Sequence, residues 1–407
     1  MRPETFTDPA AGQIIRVGQG ETTYHAFVPV PLPPALVLDP ELILTLSDSD
    51  RALGELAGLG RAIANPALLV RPFMRQEAVL SSRIEGTQAD LTDLYGYEAG
   101  QLLLPGVRRP RPVSDVREVH NYVRAMEYGL ERLETLPVSL RLIREVHARL
   151  MEGVRGDTAT PGEFRRSQNW IGPPGCLLAQ ASYVPPPVPE MAEALDSFEK
   201  YLHEGNAYPP LVRLACVHYQ FEAIHPFIDG NGRVGRLLVP LLMVSWGLLP
   251  HPLLYLSVYF ERRRDDYYRL LMSVTTHGDW RAWIAFFLRG VADQARDAVV
   301  RAKRLQDLQT EWRNALQRKR ASALVLRLAD ALFDRPILTI PVAAEVLGIS
   351  YPPAKAAVAK LEAIGALRQV PAEGQAKTYA ATGILDIVSG DDAAEADQPI
   401  KENGQNL

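Results

Sequence analysis

Two apolar helical stretches meet at a loop that holds a dense set of reactive side chains, and this junction restricts the fold more than any other part of the chain. Residues 211–224 set apolar side chains at helical spacing, and residues 237–246 are apolar nearly all round, as a helix in the centre of a domain would be. Between them runs Ile224-His-Pro-Phe-Ile-Asp-Gly-Asn-Gly-Arg-Val-Gly-Arg236. The pattern predicts helix–loop–helix, with the second helix beginning near Asn231.

That placement gives each residue of the loop a task. A helix N-terminus presents unpaired N–H groups and a partial positive charge, which suits phosphate. Gly230 and Gly232 lack Cβ, so the backbone around Asn231 can curl its amides about an anion. Arg233 and Arg236 are three apart, share a helix face and can fork onto phosphate oxygens. Asp229 can give one carboxylate to Mg²⁺ (or Mn²⁺), an ion that completes its shell with water and phosphate. His225 is the candidate general base near neutral pH. A Gly-Asn-Gly triplet alone is an ordinary turn and a histidine alone an ordinary polar residue; the conjunction points to a triphosphate cradle. It is not a P-loop, since it lacks Gly-Lys-Ser/Thr and follows a helix.

The window resembles the Fic signature, His-x-Phe-x-Asp/Glu-Gly-Asn-Gly-Arg-x-x-Arg, at every fixed position. The resemblance implies transfer of AMP from ATP to a Ser, Thr or Tyr hydroxyl of a protein, the chain itself included, with release of pyrophosphate. In it His225 deprotonates the hydroxyl and Asp229 holds the metal. Gly230, Asn231 and Gly232 form the anion hole, and Arg233 and Arg236 bind the outer phosphates.

A second stretch, Leu80-Ser-Ser-Arg-Ile-Glu-Gly-Thr-Gln88, resembles the inhibitory segment Ser/Thr-x-x-x-Glu-Gly/Asn of self-inhibited Fic proteins through Ser81, Glu85 and Gly86. A glutamate reaching Arg236 would occupy the guanidinium needed by the γ-phosphate. The other reading of the same residues is a helix end, with Gly86 as its cap and Glu85 solvated. Residues 161–190 break the helical pattern with two extended pieces about a Gly/Pro turn, a hairpin signal. They resemble the Fic flap, which implies that Ile171, Gly172, Pro173 and Pro174 lie against the nucleotide and that a target segment aligns along the hairpin by strand addition. A purely structural hairpin fits the same residues. Tyr267 and Tyr268 resemble the adenine-side contact, although aromatic pairs also serve as plain core.

Composition bounds the rest. The chain has 407 residues, room for two or three domains, and a net charge of −4 that gives no bulk attraction to nucleic acid or anionic membrane. Two cysteines, Cys176 and Cys216, fit a reducing compartment, and the first residues lack the apolar core of a signal peptide, so a cytoplasmic protein is expected. The uncharged run 237–260 is long enough to span a bilayer, but Pro240, Gly247, Pro250 and Pro252 divide it. No membrane partner is expected.

The expected fold is mainly α: a Fic-type helical core with a β-hairpin flap, and a C-terminal winged helix-turn-helix. Residues 1–110 read as an N-terminal arm, irregular to residue 40 and then helical, carrying the inhibitory motif. Residues 111–290 read as the catalytic core, 291–320 as a connecting helix, 321–388 as the winged helix and 389–407 as a disordered acidic tail. The winged helix has no basic excess: Arg327, Arg335, Lys355, Lys360, Arg368 and Lys377 are offset by Asp330, Asp334, Glu345, Glu362, Glu373 and Asp386. Protein interaction or a homodimer is therefore favoured over DNA binding. Three other functions stay open: removal of AMP by the same site, use of another nucleotide, and transcriptional regulation through the winged helix.

Overall fold

A computed structural model describes residues 3–20, 23–63, 65–99, 112–154, 160–173, 175–204, 208–370 and 377–390. The chain forms two compact units. One comprises residues 1–64, 77–89 and 112–298, the other 65–76, 90–111 and 299–407. The units are discontinuous, where composition suggests contiguous segments. The expected boundary between residues 110 and 111 and the tail beyond Gly390 lie outside the described residues.

The first unit opens with an antiparallel hairpin, β1 (Gly12–Val17) and β2 (Tyr24–Pro29), paired from Gly12–Pro29 to Val17–Tyr24. This corrects the expectation of an irregular arm: Ile14, Ile15, Tyr24, Phe27 and Val28 have strand-forming side chains, and the Gly18–Gly20 stretch permits the turn. α1 (Pro40–Ala62) is one helix capped by Asp39. α2 (Ala67–Ile84) runs on to the inhibitory motif, and after α3 (Leu91–Glu98) come α4 (Val113–Arg132) and α5 (Leu140–Leu150), the last capped by Ser139.

The middle of this unit is built from α6 (Val188–His203), α7 (Pro210–Ile224) and α8 (Asn231–Ser245). Nearly every residue of α7 is buried, which is why its sequence is apolar on more than one face. α9 (Ser257–Arg262), α10 (Arg264–His277) and the start of α11 (Trp280–Arg318) close the core. Trp283 is fully buried there and its indole N–H donates to the Ala215 carbonyl at 2.9 Å. α11 is one continuous helix across what reads as a core helix followed by a connector. No helix among the described residues is long and apolar enough to cross a membrane.

The second unit holds α3, the first part of α2, the end of α11, α12 (Ala323–Ala331), β3 (Ile337–Thr339), α13 (Ile340–Leu347), α14 (Tyr351–Glu362), β4 (Arg368–Val370), β5 (Thr378–Ala380) and α15 (Thr382–Ser389). Its antiparallel sheet has the order β3-β5-β4. Over residues 321–388 the described elements are α12, α13 and α14 with the β4–β5 pair, and β3 and α15 besides. Tyr95 of α3 packs on Ile337 and Ala380, and Arg75 of α2 pairs with Glu98 at 2.8 Å. Segments distant in sequence thus complete this unit.

Within the first unit Glu77 ties the end of α2 to two other helices. Its buried carboxyl accepts from the Tyr122 hydroxyl of α4 at 3.0 Å and from the Ser257 hydroxyl and N–H at the start of α9, at 2.6 and 3.2 Å. Burial pushes this carboxyl above its ordinary range against the pull of these donors. Glu77→Ala should orphan three buried donors and destabilise the unit by roughly 3 kcal/mol, with Glu77→Gln losing less. Urea unfolding reads the difference; an unchanged midpoint for Glu77→Ala would contradict this role.

Candidate active site

His225 ends α7 in the left-handed region, at φ +49°, an unusual state for a residue with a Cβ and one that surrounding contacts must hold. Those contacts come from the base of residues 161–190. Arg165 donates from its Nε to the His225 carbonyl at 3.0 Å, and its own N–H donates to Pro226 O at 2.9 Å. The Asn169 amide donates to Phe227 O at 2.7 Å and to His225 O at 3.3 Å. Asn231 closes the loop from inside, accepting from Phe227 N–H and donating to Phe227 O, both at 2.8 Å.

His147 of α5 holds the loop from another side. Its ring stacks on Phe227 with centroids 3.7 Å apart. Its Nδ1 accepts from Gly162 N–H at 2.9 Å, so Nε2 carries the proton and donates to the Asp229 carbonyl at 3.0 Å. The same logic fixes His225: Nδ1 lies 3.3 Å from the Glu222 carbonyl, which can only accept, so Nε2 keeps its lone pair. Burial pushes the His225 imidazole down to about 4, so it is neutral at pH 7 with that lone pair available as a base.

α8 begins at Asn231 with Gly230 left-handed at φ +80° as its N-cap. The N–H groups of its first turn have no partner inside the helix, which makes this turn the anion-facing surface. The Asn231 side chain is committed to Phe227, so its part in an anion hole falls to its backbone.

The two arginines are not alike. Arg233 is buried and paired with Glu118 of α4 at 3.1 Å, with the Asp229 carboxylate 3.8 Å away. Arg236 is buried and held by the Ser81–Glu85 stretch: Nε donates to Ser81 Oγ at 2.9 Å, and one terminal nitrogen to Ser81 O at 2.9 Å and Glu85 Oε1 at 2.6 Å. Here the two readings of residues 80–88 coincide. α2 ends at Ile84 and Gly86 turns the chain at φ +97°, a helix end that also sets Glu85 against the guanidinium. Burial pushes the Glu85 carboxyl up, but the charge and hydrogen bond of Arg236 outweigh it and the net direction is down, so Glu85 is ionised. Glu85 also rests on Gly232, where a Cβ would run into its Oε1.

Asp229 keeps 45% of its side chain exposed beside the anion-facing turn. Among the described residues no group of three or more His, Cys, Asp or Glu side chains converges into an ion cage. Magnesium needs less, since one or two carboxylates with water and substrate phosphate suffice, and one partly exposed carboxylate beside a helix N-terminus fits that donor set.

The flap is pinned by one antiparallel bridge, Ile171 to Tyr183, with Ile171 N–H donating to Tyr183 O at 2.8 Å. The prolines at 173 and 185–187 offer no N–H to lengthen the ladder. Ile171, Gly172 and Pro173 are exposed; Pro174 lies outside the described residues. The tyrosines part company. Tyr267 is core, stacked on Phe260 with its hydroxyl 2.9 Å from His218 Nε2, so its ring has no free face for a ligand. Tyr268 is 42% exposed and available.

Sequence reading did not single out Arg165, Asn169, His147, Glu118 or Glu222 as site residues. Each acts through backbone groups or through the arginines, and only the Arg165–Ile171 spacing carried a local signal. The buried histidines make acid sensitivity testable. Burial lowers His147 to about 4, below its ordinary 6.5, so the unfolded chain binds a proton that the folded state rejects. The associated stability, roughly 3 kcal/mol, is complete above about 6.5 and is lost as pH falls toward about 4. His147→Gln should flatten this part of the stability–pH curve in urea titrations; an unchanged slope would contradict it.

The comparisons with known proteins agree with this geometry. Residues 43–131 match the Fic/DOC family N-terminal region and residues 137–243 the Fic/DOC family domain. Protein adenylyltransferase Fic of Drosophila grimshawi is 31% identical over 206 residues, half of this chain and 38% of that protein. The Drosophila virilis protein of the same name is 30% identical over the same share of each. The chain thus spans less than half the length of these curated relatives. A Fic family protein from Desulfovibrio desulfuricans G20 shares the fold, with a TM-score of 0.55 at 22% identity, over 86% of this chain and 99% of that one. The chain thus carries a Fic/DOC family N-terminal region over residues 43–131 and a Fic/DOC family domain over residues 137–243, with the complete His225–Arg236 signature inside the second.

Proposed function

We propose that the chain is a protein adenylyltransferase, moving AMP from ATP to a Ser, Thr or Tyr hydroxyl of a target protein and restrained by Glu85. The observation that carries this reading is a neutral His225, its Nε2 lone pair uncommitted, beside unpartnered helix amides and an arginine occupied by a carboxylate. His225 Nε2 takes the hydroxyl proton, the oxygen attacks the α-phosphorus, and the bond to the β-phosphate oxygen breaks to release pyrophosphate. The amides of Asn231, Gly232 and Arg233 receive charge that develops on the phosphates. A magnesium ion held by Asp229 would neutralise phosphate charge there. Arg236 binds the outermost phosphate once Glu85 leaves it. The relatives named protein adenylyltransferase support the same reaction class.

A target segment would lie along the flap, where Trp170, Ile171 and Leu177 are exposed apolar side chains. The second unit we read as a winged helix serving protein contacts. Several of its basic groups are internally engaged: Arg71 with Asp334, Arg75 with Glu98, and Arg313 with Asp330 at 2.6 Å. Removal of AMP is a second reading, favoured by one feature: Glu85 is 34% exposed while bonded to Arg236, so one oxygen edge could orient a water.

With α-labelled ATP and magnesium, His225→Ala should cut labelling by about 10²–10⁴-fold while ATP still binds. Labelling near the wild-type rate would remove His225 from the mechanism. Glu85→Gly should label faster than wild type, and adding Arg236→Ala should abolish that gain, because the gain passes through the freed guanidinium. Equal labelling by wild type and Glu85→Gly would sink the restraint and leave the transfer reading standing. Release of AMP from a labelled protein by wild type but not by Glu85→Gly would favour the second reading.

A further inference from the structure

Glu222 has no step in the chemistry above, yet its carboxyl is built into the same pocket. It sits in the last turn of α7, and its side chain lies flat on α8 at Gly235, where a Cβ would run into Oε1 and come within 3.1 Å of Cδ. Glu85 lies in the same manner on Gly232. Gly232, Gly235 and Arg236 stand at i, i+3 and i+4, one face of α8. Two carboxyls therefore share the bare first turns of this helix with one guanidinium. They are not equivalent. Glu85 is bonded to Arg236, whereas Glu222 Oε1 is buried with no hydrogen-bond donor among the described residues.

One buried positive charge is already paired with one negative charge, that of the partly exposed Glu85. A second ionised carboxyl here would be uncompensated, a costly state in a low-dielectric site. We infer that Glu222 is the resident second partner of Arg236: it holds a proton while Glu85 is bound, and ionises to take over the guanidinium when Glu85 withdraws. The inference rests on the reading of Glu85 as the removable partner. Glu222 would then be a positioning residue, keeping Arg236 in place through the exchange between carboxylate and phosphate.

The charges around it agree. Burial pushes the Glu222 carboxyl up to about 7, with Arg236 pulling it down and Glu85 pushing it further up. The other groups facing it are uncharged at that pH. His225, bonded to the Glu222 carbonyl, and His218, bonded to the Gly235 carbonyl, are lowered by burial to about 4 and about 3. On α10, burial raises Tyr267 well above its ordinary value and Tyr268 to about 12. Removing Glu85 deletes the charge that pushes Glu222 up and releases the charge that pulls it down. Departure of Glu85 therefore sends one proton from Glu222 to solvent, and the restraint should loosen as pH rises through about 7.

Carbon-13 NMR of protein labelled at the glutamate δ carbon, without nucleotide, tests this, with the resonance assigned by its loss in Glu222→Gln. In wild type the Glu222 carboxyl should titrate near 7; in Glu85→Gly it should titrate lower by roughly 1–3 pH units. The same midpoint in both proteins, or a higher one in the variant, overturns the inference. Glu85→Gln, which keeps the size of the side chain, replaces Glu85→Gly if the glycine variant does not fold. Because no nucleotide is present, a lowered midpoint in a protein that never labels a target would sink the transfer reading and keep this one. As a second readout, the Kd for ATP of Glu85→Gly should rise with pH severalfold more than that of Glu85→Gly/Glu222→Gln. Identical slopes would count against Glu222.

Discussion

The first unit of this protein depends on a guanidinium it has buried. Arg236 is 3% exposed and cannot shed its charge, so the fold must surround it with acceptors or lose several kcal/mol to an uncompensated ion. Burial pulls against its charge, but Glu85 pushes its pKa up, and the net direction is up. Ser81 Oγ, Ser81 O and Glu85 Oε1 supply the acceptors, all from the end of one helix. That arrangement makes the end of α2 part of the active site. On the proposed reading a phosphate would have to compete with the carboxylate already paired there.

The same economy governs the loop. His225 is left-handed, a conformation that a histidine holds only under constraint, and the constraint is distributed over Arg165, Asn169, Asn231 and His147. All but one of those bonds ends on a backbone carbonyl of residues 225–229. The loop's shape is therefore fixed mainly through its backbone, which leaves His225 Nε2 uncommitted, while Asp229 Oδ1 accepts from Gly230 N–H at 2.6 Å and the rest of that side chain stays partly exposed. The N-terminal hairpin extends this support outward: Phe27 N–H donates to Val184 O at 2.9 Å, and Phe27 packs with Tyr183, whose hydroxyl donates to Ala223 O at 2.6 Å. The base of the flap is braced from both sides.

What could be read in advance follows from the range of each interaction. The start of α8 at Asn231 was legible because Gly-Asn-Gly followed by an apolar run is a local signal. The Ser81–Glu85–Gly86 stretch was legible through its spacing, although only the fold brings it to Arg236, 151 residues away. The β1–β2 hairpin was missed because polar residues interrupt its alternation and the Val28–Pro34 stretch suggested an extended arm. Tyr267 was assigned to the nucleotide when its partner is His218, a pairing between α7 and α10 that no local pattern announces. Glu118 and Glu222 were missed for the same reason: an acidic residue in an amphipathic helix looks solvated until the fold buries it.

Glu222 gives Gly235 a role that the signature, which leaves that position open, does not assign. Gly232 is explained by close approach of an anion to the first turn, since any side chain there would fill the space that Glu85 now takes. Gly235 is one turn further on and has no such duty toward the loop, yet a Cβ there would also strike a carboxyl. If the helix surface served only a phosphate, a side chain at 235 directed along α7 would be tolerated and would bury more apolar area. A bare position 235 instead admits a carboxyl within reach of Arg236 but not bonded to it. The charge of Arg236 must be balanced in every state the site visits: with Glu85 bound, with phosphate bound, and in the passage between them. On the proposed reading Glu85 balances the first and phosphate the second; for the third, the carboxyl lying against the same face of α8 is Glu222.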